Sequence, residues 1–358
     1  MTGPAARRPI AVIAITRRGA QMAAVLAGRV WGVEVYVDRR WASEVPGPCR
    51  AFSLPLRPLV RDVFGRYPSL VLFVAVGVAV RLVGPLLSGK DRDPAVVTVD
   101  EAGRFAVCLL SGHRGGGESL AREVAAALGA TPVVTSASAA LGLPALDLLG
   151  SERGWRLEGA EHVASVSAAL INGGPVGFYQ DAGERPWDEA PPGVKEMPSL
   201  DEALGSGLPC IVVSDRALPP RPLAGPVLLY RPPTLVAGVG CRRSVSGQEV
   251  ASFVSRVLSE NGLAPASLRC LATIADKAGE PGLQEAATVL GVPLEAVPAE
   301  TVRRLASLVS PSASERLLGL PSVSEASALA VAGASRLVVP RAKNGRVTVA
   351  VARMEAQA

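Results

Sequence analysis

The chain has 358 residues, 49% of them hydrophobic, enough for two or three domains with cores of their own, and a small stapled scaffold is excluded. A formal charge of +5 comes from scattered arginines in a chain with only 4% aromatic residues, which argues against a nucleic-acid partner. The five cysteines, Cys49, Cys108, Cys210, Cys241 and Cys270, are odd in number and widely spaced. With no Cys-x-x-Cys pair among them they offer no zinc or redox motif, and they fit a reducing cytoplasm.

The apolar run Ile10 to Ile15, followed at once by Arg17 and Arg18, reads as a first strand and not as a signal peptide. The longest apolar stretch, Leu70 to Val80, stops at Arg81, short of the roughly 18 residues a membrane span needs. It reads as a buried strand running into a turn. Further strands are expected at Val33 to Val37, Ala95 to Val99, Phe105 to Leu109 and Pro132 to Thr135, with Asp100 to Gly103 as a hairpin turn. Alternation of Val/Ile/Leu runs with Ala-rich helical stretches gives the fold class as α/β, with mostly parallel sheets in the N-terminal and C-terminal domains. From Ala137 to Arg231 prolines and glycines thicken and helical signals weaken, as in a smaller middle domain or connector. Pro232 and Pro233 then precede a strand at Leu235 to Val239 and a helix whose Ser246-Gly-Gln-Glu249 start has capping-box spacing. The divisions are 1–136, 137–232 and 233–358.

The segment carrying most chemistry is LLSGHRGGGESL, Leu109 to Leu120, a glycine-rich loop between a strand and the helix Glu118 to Leu128. Such a loop points backbone N–H groups at whatever lies above the helix start, which makes an anion site. It lacks the Gly-Lys-Ser/Thr of a phosphate loop, and Leu120 stands where G-x-G-x-x-G needs its third glycine, so nucleotide is disfavoured. His113 has the surroundings of a general base near neutral pH and equally those of a loop histidine bonding a carbonyl; the sequence leaves both open. His162, on a helix from Glu161 to Leu170, reads as solvated or packed. Gly77-Val-Ala-Val-Arg81 places one charge after an apolar turn, and Lys90-Asp-Arg-Asp-Pro94 is a polar loop before a strand. Gly238-Val-Gly-Cys-Arg-Arg243 is a second glycine turn of the anion-binding sort. Of the 37 basic residues only Lys90, Lys195, Lys277 and Lys343 are lysines, so in an arginine-biased chain a lysine is the more informative cation.

LFVAVGVAVRLVGPLLSGKDRDPAVVTVDEAGRFAVCLLSGHRGGGESL, with PVVTSAS after it, and then GVGCRR, DKAGEPGL, PSVSEASALA and RVTVAVAR, together resemble the N-terminal and C-terminal regions of the CbiG family of anaerobic cobalamin biosynthesis. The resemblance covers Leu70 to Ser138 and Leu235 to Arg353 well and the middle poorly. Where the family continues Ala-Asn-Glu-Leu this chain has Gly117, Glu118 and Ser119 before Leu120. Its Thr135-Ser-Ala-Ser-Ala139 departs from Thr-Thr-Ala-Thr-Asp, and Gly279 replaces an Asn. Ser111, Gly112, His113, Gly115, Gly116, Lys277 and Glu280 are intact.

The resemblance implies hydrolysis of the δ-lactone of cobalt-precorrin-5A, with release of acetaldehyde to give cobalt-precorrin-5B, by a cytoplasmic hydrolase acting on a carbon–carbon bond. Cobalt arrives with the corrinoid substrate, so no cofactor and no metal site of the protein's own is expected. Partners are this small molecule and, as an open question, neighbouring pathway methyltransferases, with no nucleic acid and no membrane. The expected roles are His113 as base, the N–H groups of Gly115 and Gly116 as oxyanion donors, and Lys277 or Glu280 as acid or orienter. The substrate's acetates and propionates are assigned to Arg81, Lys90, Ser111, Gly112, Gly115, Gly116, Gly238 and Gly240. The competing reading is a non-catalytic carrier of a corrinoid intermediate, which would bind without turnover.

Overall fold

The computed structural model describes residues 9–89, 92–219, 222–310 and 322–354, which include three mixed, mostly parallel sheets covered by helices. The expected α/β class is what the chain adopts. The chain divides into two compact units, 1–148 and 149–358.

The first unit is built on one seven-stranded sheet in the order β3-β2-β1-β4-β5-β6-β7. Its strands are β1 Ile10–Ala14, β2 Val33–Asp38, β3 Cys49–Phe52, β4 Ser69–Phe73, β5 Ala95–Val99, β6 Phe105–Leu110 and β7 Thr131–Val133. Every residue of β1, β4 and β5 is buried, which is why these strands read as unbroken aliphatic runs: both faces are covered. On one face Ala23 and Leu26 of α1 (Arg17–Arg29) and Leu120 and Val124 of α4 (Gly117–Leu128) pack against Val12, Ala14 and Phe73. On the other, Val60 and Val63 of α2 (Arg57–Phe64) and Ala79 and Val83 of α3 (Val76–Val83) pack against Ile13, Leu70 and Leu72. Leu70 to Val80 is therefore not a strand running into a turn. The strand ends at Phe73, and the Val-rich remainder forms α3, whose apolar inner face at Ala79, Leu82 and Val83 outweighs the β preference of its valines.

Strand β6 decides where the glycine loop goes. The expected hairpin forms: Asp100 Oδ1 accepts the N–H groups of Arg104 and Phe105, each at 2.8 Å, and Gly103 takes the left-handed conformation at φ 68°. β6 thus runs antiparallel to β5, pairing Ala106 with Val99 and Leu110 with Val96. Its far end returns to the edge of the sheet at which β4 and β5 begin. The chain leaves β1 through α1 on one face and β4 through α3 on the other, so the crevice at which open α/β sheets usually bind ligands lies at the opposite edge.

The second unit holds two five-stranded sheets. The first has the order β10-β9-β11-β12-β8, from β8 Arg156–Glu158, β9 Val176–Gln180, β10 Val194–Glu196, β11 Cys210–Val213 and β12 Val227–Arg231. The second has the order β15-β14-β13-β17-β16, from β13 Leu235–Cys241, β14 Leu268–Ile274, β15 Leu294–Val297, β16 Leu337–Lys343 and β17 Val347–Arg353. Asp215, with no exposed surface, joins them. Its carboxylate accepts from Arg353 Nε and Nη2 and from Thr234 Oγ1, each at 2.7 Å, and its carbonyl accepts from Ala264 N at 2.8 Å.

The helix Val323–Ala332 lies directly on β13. A Cβ placed on Gly238 would stand 1.8 Å from Ser324 O and 2.7 Å from Ala328 N, both backbone atoms that no rotamer change can move. Gly238→Ala should therefore cost at least the upper part of the about 1–3 kcal/mol typical of overpacking, read as a lowered urea midpoint. An unchanged midpoint would mean that strand and helix are not pressed together.

Candidate active site

Beyond β6 the chain makes a turn that only small residues permit. Ser111 itself has φ 53°, an uncommon conformation for a residue with a side chain. A Cβ on Gly115 would meet Ser111 Cβ at 2.4 Å and Ser111 O at 2.6 Å, and one on Gly117 would meet Leu110 O at 2.5 Å. Three short hydrogen bonds close the loop: Gly116 N to His113 O at 2.8 Å, Gly117 N to Ser111 O at 2.9 Å and Glu118 N to Gly112 O at 3.0 Å. The Gly116 N–H is thus committed within the loop and not presented as an oxyanion donor. Ser111 Oγ donates to Asp93 O at 2.8 Å, pinning the loop to the segment before β5.

The loop delivers the His113 ring, about one-third exposed, into a cluster of acids and a hydroxyl. Nδ1 lies 3.3 Å from Asp147 Oδ1, while Nε2 lies 3.3 Å from Glu118 Oε1 and 3.3 Å from Ser138 Oγ. Glu118 stands in the first turn of α4, where the helix dipole favours a negative charge. Asp147 sits on the short turn Leu146–Leu148, anchored by the buried Leu146; its own Oδ1 is buried and has no hydrogen-bond donor among the described residues. The ring thus stands between two carboxylates, Asp147 on the Nδ1 side and Glu118 on the Nε2 side. Cys108 lies close by, but burial, and after it the charge of Glu118, pushes its thiol up to about 11, so it supplies no thiolate nucleophile near neutral pH. On the loop's other flank Arg114 and Gly115 line a cavity of about 780 Å³.

Other candidates fall elsewhere. Arg81 Nη1 folds back onto Gly77 O at 3.0 Å, over the start of α3 and at the sheet edge away from the glycine loop. Lys90 lies outside the described residues. Gly238 and Gly240 are not in a turn: both lie within β13, Gly238 beneath the helix Val323–Ala332 and Gly240 where a Cβ would stand 2.7 Å from Thr348 Oγ1. Their absent side chains are explained by packing. At the start of the helix Gly247–Glu260 that follows, Glu285 Oε2 already accepts Gly247 N at 2.9 Å and Ser246 Oγ accepts Glu249 N at 3.2 Å. Lys277 and Glu280 belong to the second unit and stand together beyond β14, with Lys277 Nζ donating to Cys241 O at 2.8 Å and Glu280 N to Lys277 O at 3.0 Å. His162 is half-exposed beside Glu161, as expected of a solvated residue.

Ser138 and Glu118 stand where the chain departs from the CbiG pattern, and Asp147 lies in a segment without a motif. The available signal was a lone acid in the apolar run Leu143-Pro-Ala-Leu-Asp147-Leu-Leu, which burial obliges to find a partner. Among the described residues no group of three or more His, Cys, Asp or Glu is arranged to hold a metal ion, and no helix is long and apolar enough to cross a membrane.

Three family models match in order along the chain: Cobalamin synthesis G N-terminal over residues 58–139, Cobalamin biosynthesis central region over 144–232 and Cobalamin synthesis G C-terminus over 235–352. A protein of Priestia megaterium named cobalt-precorrin-5A hydrolase is 34% identical over 97% of this chain and 95% of its own. The chain belongs to the cobalamin synthesis G family. A Salmonella typhimurium protein of the same name is 34% identical over 68% of this chain and 70% of its own. Among solved structures, cobalamin biosynthesis protein chiG from Agrobacterium tumefaciens is 36% identical over 34% of this chain and 99% of its own, with a TM-score of 0.28. The match to the central region over residues 144–232 covers the proline- and glycine-rich middle of the chain, where the motif resemblance is poor.

Proposed function

We propose that this protein hydrolyses the δ-lactone of cobalt-precorrin-5A, releasing acetaldehyde and leaving cobalt-precorrin-5B. The observation that carries the reading is His113, held by a glycine loop with Asp147 at Nδ1 and Glu118 at Nε2, in a chain related over nearly its whole length to a cobalt-precorrin-5A hydrolase. Water attacks the lactone carbonyl as His113 Nε2 takes one of its protons, the acyl C–O bond breaks, and an alkoxide and a carboxylic acid result, the acid releasing its proton to solvent. The alkoxide collapses to the aldehyde, its carbon–carbon bond to the macrocycle breaks, and that electron pair takes up the proton. One water is consumed and one acetaldehyde leaves. Glu118, next to Nε2, is placed to pass protons between ring and leaving fragment. The chemistry calls for no resident cofactor, since cobalt enters as part of the substrate. We place the reaction in the cytoplasm, between pathway methyltransferases that supply and consume the macrocycle.

Incubation of the purified protein with cobalt-precorrin-5A, followed by mass spectrometry and an aldehyde assay, tests this. The expected product has gained water and lost acetaldehyde in equal amounts. Tight binding with unchanged substrate mass would replace the reading with that of a carrier.

A further inference from the structure

The cavity beside the glycine loop gathers arginines that the lactone chemistry does not use. It is lined by Arg66, Arg92 and Arg114, with Tyr67, Ser88 and Gly115 between them. The arginines come from three separate places: the turn after α2, the loop before β5 and the glycine loop itself. Arg66 lies over the Tyr67 ring at 5.8 Å, donates to Tyr36 Oη at 3.2 Å and pairs with Asp62 at 3.1 Å, so its guanidinium is held in place although half-exposed.

The acid on the cavity wall, Asp93, has Arg92 beside it but spends its hydrogen bonds on its own segment of chain. Its carboxylate accepts Ser88 N and Ser88 Oγ, both at 2.9 Å, and Gly89 N at 3.2 Å, and these donors, the Ser88 N–H foremost, hold its carboxyl below the ordinary range. That charge is engaged with Ser88 and Gly89. The Asp93 carbonyl receives Ser111 Oγ, so the cavity wall and the base of the His113 loop are fastened together.

We propose that this cavity is a carboxylate subsite, in which the guanidinium forks of Arg66, Arg92 and Arg114 receive an acetate or propionate edge of a tetrapyrrole and so position the macrocycle against the loop that carries His113. Planar guanidinium forks from several directions match carboxylates in both geometry and charge. A volume of about 780 Å³ falls within the roughly 300–1,000 Å³ usual for small-molecule sites. The inference rests on the proposed reaction for the identity of the ligand, but not for the site itself.

The test titrates full-length protein with uroporphyrin, a stable macrocycle bearing acetate and propionate arms, following quenching of porphyrin fluorescence. Its methyl ester and inorganic pyrophosphate serve as comparison probes. Arg66→Ala and Arg92→Ala are each expected to weaken uroporphyrin binding by about tenfold at unchanged melting temperature, with Arg92→Lys restoring only part of the loss. The ester should bind poorly to the wild type, and with cobalt-precorrin-5A the same variants should raise KM while largely preserving kcat. Unchanged affinity in both variants, equal binding of the ester, or displacement by pyrophosphate at concentrations well below those of a simple salt effect would overturn the subsite. Turnover without any effect of the arginines would refute the subsite and leave the reaction standing. Arginine-dependent binding without turnover would do the reverse.

Discussion

His113→Gln lowers the rate of acetaldehyde release by about 10² to 10⁴, the usual share of a general base, while melting temperature and uroporphyrin binding stay near wild type. Glutamine retains a polar group in the gap between Asp147 and Glu118 but cannot take a proton from water. Asp147→Asn should follow it in direction with a smaller loss, because the imidazole remains but the negative charge 3.3 Å from Nδ1 is gone. Single-turnover kinetics on both variants make the check. A His113→Gln enzyme that turned over at the wild-type rate would return this residue to the role of a loop histidine and move the chemistry elsewhere.

Asp215→Ala should be the most damaging substitution to stability, costing about 3–5 kcal/mol, as expected when one partner of a buried ion pair is removed. The carboxylate has no exposed surface and accepts three hydrogen bonds at 2.7 Å, two of them from Arg353, so its loss leaves the guanidinium and the Thr234 hydroxyl without their acceptor. Because Arg353 retains about a third of its side-chain exposure, water answers part of that charge and the cost falls toward the lower end. Urea unfolding of Asp215→Ala, Arg353→Leu and the double variant separates the pair from its parts. The double variant should be less destabilised than the sum of the singles. A single-variant loss under about 1 kcal/mol would show that the two sheets of the second unit are held together by something else.

The central strands of the first unit were legible because burial on both faces leaves an unmistakable aliphatic run, as at Ala95–Val99, where expected and observed bounds coincide. The hairpin at Asp100 to Gly103 was legible because its turn chemistry is local. Helix α3 was not, since Val-rich sequence gives strand and helix much the same signal and only packing on the sheet decides between them. The glycine loop was found through its composition, yet its companions were not. Asp147 and Ser138 reach His113 through tertiary folding, and no spacing rule connects them to it. Gly238 was misread for the opposite reason: a glycine that admits a ligand and one that admits a helix look alike until the helix Val323–Ala332 is seen lying on it.

The position of Asp147 bears on how this protein is dissected into pieces. A chain cut after residue 136 keeps all seven strands of the first sheet and the entire glycine loop, and by the usual criteria of expression and cooperative melting it would pass for an intact module. Ser138 and Asp147 would remain on the discarded piece. The imidazole would then lose two of its three neighbours and turn about its side-chain bonds, a difference visible in the ring resonances of His113 by NMR and invisible in circular dichroism. Completeness of the sheet and completeness of the proton-transfer cluster end at different residues, and a functional fragment has to be cut at the second of them.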